Sequence, residues 1–124
     1  MKGRILGSWK AALLVGTALL GLTGCRSYWV EATVENQTGQ TVHEVEVDYP
    51  SASFGINSLA SGATMHYRFK IQGNGPVKVQ YALENGKTVN GQGLTLNEGE
   101  QGRLTLRLTP TGKVEFLSEV KPAS

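Results

Sequence analysis

The feature that most constrains this chain is a period of two in its apolar residues, repeated in short runs through most of its length. Val30, Ala32 and Val34 alternate with Glu31, Thr33 and Glu35, and Val45, Val47 and Tyr49 with Glu44, Glu46 and Asp48. Met65, Tyr67, Phe69 and Ile71 alternate with His66, Arg68 and Lys70, while Val77, Val79, Tyr81 and Leu83 alternate with Lys78, Gln80 and Glu84. Leu104, Leu106 and Leu108 alternate with Arg103, Thr105 and Arg107, and Val114 and Phe116 flank Glu115. Successive side chains of a strand point to opposite faces, so each run buries one face and wets the other. No comparable stretch after Tyr28 has helical spacing.

Turn chemistry separates the runs. Asn85-Gly86 predicts a tight hairpin with positive φ at both central positions. Asn36 to Gly39, residues 73–76, Asn97 to Gly102 and Pro110 to Gly112 predict further turns. Pro50, Pro76, Pro110 and Pro122 all fall at run boundaries, as hydrogen-bonded strands require. Ser51 and Ser53 are expected in the loop after Pro50. The reading is an all-β antiparallel sandwich or barrel of seven or eight strands over residues 28–120, with 121–124 as a tail. About a hundred residues bury enough surface for stability without disulfides.

The first 24 residues are of another kind. Lys2, Arg4 and Lys10 precede an apolar run from Ala11 to Leu22 with no acid among them, the outline of a signal-peptide helix. As a helix this run rises about 18 Å, short of a hydrocarbon core of roughly 30 Å. Next come Leu22, Thr23, Gly24 and Cys25. This tetrad resembles the lipobox of bacterial lipoproteins. The resemblance implies cleavage after residue 24 and acylation of Cys25, the chain's single cysteine, on sulfur and on its new amino group, palmitate being a common acyl chain. Cys25 then serves as anchor, neither nucleophile nor ligand. Two or three acyl chains hold a membrane far better than one.

Residues 25–27 form a short tether. Only Arg26 and Ser27 separate Cys25 from a fold that starts near Tyr28, a reach of roughly 10 Å. Arg26, Tyr28 and Trp29 are therefore expected at the membrane interface, where amphipathic aromatics settle. The alternative for Trp29 is that it caps the end of the core.

Residues 30–90 resemble the immunoglobulin-like modules of bacterial envelope proteins. The resemblance rests on Val34 to Asn36 before a Gly turn, a strand ending at Tyr49, Leu59 to Gly62 before a long apolar strand, and the hairpin at Asn85-Gly86. It implies that the strands holding Glu44, Glu46 and Asp48 and holding His66, Arg68 and Lys70 are antiparallel neighbours. That pairing would set 44 against 70, 46 against 68 and 48 against 66. The absence of a cysteine pair and the extra hairpin from Gly102 to Leu117 depart from that pattern.

The residues suggest little chemistry. Alternate strand positions lie about 6.6 Å apart, too far for Glu44, Glu46 and Asp48 to share one metal ion. By parity His43 points away from them, with Val45 and Val47. Neither His43 nor His66 accompanies a nucleophile motif, and Gly91, Gly93, Gly99 and Gly102 read as turns and bulges. No catalytic residue, metal or cofactor is expected. Of the 12 Lys and Arg in the sequence the leader takes three, and it takes none of the 10 acids, so cleavage leaves nine cations against ten acids and no charge that asks for nucleic acid.

The function expected is a non-enzymatic lipoprotein of the cell envelope, an interaction or structural module. Arg26 stands where an aspartate favours inner-membrane retention in enteric bacteria, so the resemblance implies the periplasmic face of the outer membrane. Its expected partners are the membrane, through Cys25, and an envelope protein that adds a strand to an edge at Val89 to Leu96; the alternative, and the favoured reading of that segment, is a mobile loop. The alternative is a periplasmic domain that binds a glycan or small ligand on a cluster of Tyr28, Trp29 and Phe54.

Overall fold

A computed structural model describes residues 28–123. The signal-peptide helix, the lipobox and Cys25 with Arg26 and Ser27 lie outside the described residues. The chain forms eight strands: β1 (Val30–Asn36), β2 (Val42–Tyr49), β3 (Ala52–Leu59), β4 (Thr64–Phe69), β5 (Gly75–Ala82), β6 (Thr88–Leu96), β7 (Glu100–Leu108) and β8 (Val114–Pro122). They make two four-stranded sheets, ordered β4-β1-β7-β8 and β3-β2-β5-β6. Every pair is antiparallel except β1 and β7, which run parallel. The last strand extends to Pro122, whose Cα partner is Glu100, so residues 121 and 122 belong to the sheet and not to a tail.

The core lies between the sheets and is built from the inward positions of each run. Val30, Val34, Val42, Val47, Val77, Leu104, Leu106 and Leu108 are wholly buried. At about 25 cal/mol per Å² of apolar surface, this face-to-face burial is the main driving term for folding. One polar side chain joins it. Asn36, also wholly buried, donates from Nδ2 to the carbonyls of Gln40 and Leu59, and its Oδ1 accepts from the Thr38 amide and hydroxyl. With all four bonds made, it ties the β1–β2 turn to the end of β3 at no cost in unsatisfied groups.

The strand order differs from the immunoglobulin arrangement, in which the second and third strands lie in opposite sheets. Here β2 pairs with β3 and β5, while β4 pairs with β1. The expected pairing of 44 with 70, 46 with 68 and 48 with 66 therefore does not form. Its cause is a hairpin in a segment expected to be a loop. Tyr49 pairs with Ala52 across Pro50-Ser51, with Ser51 at a φ of 78°, the backbone sense of a type II turn. Ser53 consequently stands in β3, opposite Asp48.

Two further departures are local. Asn85 does not take positive φ; Gly86 alone does, at 86°, and Gly86 N bonds Leu83 O while Leu83 N bonds Lys87 O. That is a type I turn closed by a glycine bulge, which the same dipeptide serves equally well. In β2 a bulge between His43 and Glu46, with Glu44 at a φ of 50°, resets the alternation. His43 is exposed and Val45 buried, so His43 does not share the inward side of Val45 and Val47.

Candidate functional site

The outer face of the β4-β1-β7-β8 sheet is ordered in rows across its four strands. Arg68, Glu31, Arg103 and Glu119 follow one another in register, alternating in sign. Two positions along, His66, Thr33, Thr105 and Leu117 form a row, and beyond it Thr64, Glu35, Arg107 and Glu115. In the last row Arg107 donates from Nε to Glu35 at 3.0 Å and from a terminal nitrogen to Glu115 at 3.2 Å. The hydrogen bond to Glu35 is the chief cause that holds the guanidinium above its ordinary value, with Glu115 adding to it. On β4 Arg68 thus faces Glu31 of β1, and His66 faces Thr33, in place of the acids of β2. His66 Nδ1 is 3.1 Å from the Thr33 hydroxyl in an exposed contact, and among the described residues no carboxylate bonds that ring.

One step toward the start of β1 the pattern changes. Trp29 precedes the strand, and its carbonyl accepts a bond from Gly102 N at 3.1 Å. Gly102 has a φ of 137°, and a Cβ there would strike the Glu119 carbonyl. Only glycine lets β7 pass this close to β8 while holding Trp29 in line with β1. The indole is half-buried. Above it stand the Arg68 guanidinium, 4.5 Å from the ring centroid, and the Lys70 ammonium, 5.1 Å away. Beside it a shallow depression is bordered by Glu31, Arg68, Gln101, Arg103 and Lys121. Lys70, Arg68, Arg103 and Lys121 are all exposed.

A second depression joins Trp29 to an aromatic column formed by β2, β3 and β4. Tyr49 stacks on Phe69 at 3.8 Å between centroids, and Phe54 on Tyr67 at 4.3 Å. These pairs close the side of the sandwich where β3 faces β4. Burial raises the Tyr49 phenol above its ordinary value, and Tyr67 beside it adds to the rise. Tyr67 remains 41% exposed and Tyr28 45% exposed.

Of the residues expected at the interface, Tyr28 and Trp29 therefore lie where the fold begins, with outward-facing surface, while Arg26 lies outside the described residues. The trio Tyr28, Trp29 and Phe54 does not form one exposed cluster, because Phe54 is only 7% exposed and is stacked inside the column. Arg68, Lys70, Arg103 and Lys121 were not expected at this end. The register Val30↔Phe69 brings Arg68 and Lys70 there, and the pairings of β7 with β1 and β8 bring Arg103 and Lys121; no local sequence pattern announces these pairings.

The acidic side chains of β2 lie on the other sheet. A hydrogen bond shared with Asp48, and then the charge of Asp48, raise the Glu46 carboxyl above its ordinary value. Among the described residues no three His, Cys, Asp or Glu side chains gather as metal ligands. At the sheet's edge, Val89 to Leu96 is no loop but most of β6, paired to β5 along one side. Its glycines have a packing role. A Cβ at Gly91 would stand 2.8 Å from Val114, and one at Gly93 would strike the Phe116 ring, so two β8 side chains fill the space that these glycines leave.

No family model and no curated protein matches the chain. A solved structure, described as the NMR structure of a protein from Eubacterium rectale, superposes with a TM-score of 0.53 at 16% identity, covering 79% of this chain and 95% of that one. At that identity the likeness is one of fold.

Proposed function

We propose that this chain is a bacterial envelope lipoprotein. Residues 1–24 are its signal peptide, Cys25 carries its acyl chains, and the β-sandwich is a non-enzymatic interaction module at the periplasmic face of the outer membrane. The observation that carries this reading is the Leu22 to Cys25 tetrad, placed so that the first paired strand residue, Val30, follows Cys25 by five positions. A tether this short keeps the domain against the headgroups. The interaction itself belongs to β6, which among the described residues is an edge strand and can take up a strand from an envelope protein by β-augmentation.

The test is Cys25→Ala, with the wild-type protein as reference. Mass spectrometry of the wild type is expected to show the chain beginning at an acylated Cys25. Circular dichroism of the variant is expected to keep the β spectrum, and the variant is expected to leave the membrane fraction. An unmodified Cys25 in the wild type, or a variant that stays in membranes with its leader attached, would overturn the reading.

A further inference from the structure

We propose that the Trp29 end of the sandwich is a docking surface for anionic phospholipid headgroups. The inference rests on the reading of Cys25 as a lipid anchor, and it adds an orientation and a lipid preference to that reading. Charge is the first argument. Lys70, just past the end of β4, and Lys121 flank Trp29 at this end of the sheet, with Arg68 and Arg103 one row inward. Of the nearest acids, Glu31 borders the same depression but stands in register between Arg68 and Arg103, Glu119 stands opposite Arg103, and Glu100 accepts from the Asn97 amide. The outermost row thus carries cations without acids, although the cleaved chain as a whole has one more acid than it has Lys and Arg.

The second argument is the kind of surface between those cations. A half-buried indole with exposed Tyr28 and Tyr67 nearby presents amphipathic rings of the type that settle at headgroup depth. Basic side chains close to such rings gain affinity from the negative potential of an anionic leaflet, within a Debye length of about 8 Å at physiological salt. The third argument is position. Cys25 lies three residues before Tyr28, so the chain enters the lipid at the same end of the sandwich that carries the cations. An anchor at the opposite end would hold this patch away from the membrane.

The chain supplies its own probe. It has two tryptophans, Trp9 in the leader and Trp29, so the cleaved protein has Trp29 alone. The purified, acylated protein is reconstituted in vesicles of phosphatidylcholine, or of phosphatidylcholine and phosphatidylglycerol in equal parts, and quenching of Trp29 by acrylamide is compared. In the anionic vesicles the quenching constant is expected to fall roughly twofold or more as the indole leaves water. High salt should abolish the difference. So should Arg68→Gln/Lys70→Gln/Lys121→Gln. Because Arg68 and Lys70 lie over the ring, Arg103→Gln/Lys121→Gln, which leaves that stack intact, is expected to reduce the difference independently. Equal quenching of the wild type in the two vesicles overturns the proposal.

The anchor reading is judged apart, from the mass of the same preparation. If Cys25 proves unmodified, docking is read by co-sedimentation of that chain with the two kinds of vesicle. Salt-sensitive binding to the anionic vesicles, lost in the triple variant, then supports the surface, and equal recovery from both overturns it.

Discussion

Tyr81 shows how one residue sets a local balance. It is 1% exposed on the inner face of β5, and among the described residues its hydroxyl has no hydrogen-bond partner. An unpartnered buried polar group opposes folding by about 1–3 kcal/mol, so Tyr81→Phe is expected to leave stability unchanged or raise it by up to about 1 kcal/mol. Urea denaturation of the two proteins checks this, and a clear loss would show that the hydroxyl has a partner. Burial also raises the phenol above its ordinary value of 10.0. Above that pH the unfolded chain releases a proton that the folded chain retains, so the stability held below the unfolded value is lost as pH rises. Tyr81→Phe should flatten that alkaline decline, which thermal melts at successive pH values would read. The sequence places Tyr81 inward by parity alone, but it carries no sign that the hydroxyl would lack a partner, because that depends on what the facing sheet presents.

At the level of elements, the strands with regular alternation were legible and the pairings between them were not. β1, β5 and β7 follow their apolar runs closely, since nothing in them interrupts the period. β3 is hard to read in the sequence because its turn has Pro50 and Ser51 where the usual short-hairpin dipeptides are absent, and because its burial is irregular beyond Phe54. β6 looked weakly patterned for a physical reason: Gly91 and Gly93 occupy inward positions that an apolar side chain would normally fill, and Val114 and Phe116 of β8 reach across instead. Gly93→Ala is accordingly expected to lose about 1–3 kcal/mol by overpacking against the Phe116 ring. In a Phe116→Ala background the same change should cost much less. A double-mutant cycle in denaturant measures that coupling, and additive effects would mean that the two strands do not meet there.

For the molecule as a whole, the decisive contact is the parallel pairing of β1 with β7, which joins Glu35 to Arg107 across 72 positions of sequence. Local patterns cannot announce a pairing of that span. This is why the sheet order, and with it the row of cations beside Trp29, emerged only from the structure. Closing so long a loop before its contacts form slows folding, and refolding is expected on a scale of milliseconds to seconds. Stopped-flow fluorescence from urea would show it, and a microsecond phase carrying the full amplitude would contradict it.

β1 is also a middle strand, held by β4 on one side and β7 on the other. For a domain tethered by its N-terminus, any pull from the membrane enters along the axis of this strand. The ladder bonds lie across that axis, so they are loaded together in shear and not opened one after another like a zipper. In a domain held that way, β1 and its two ladders would bear the load before the edge strands do.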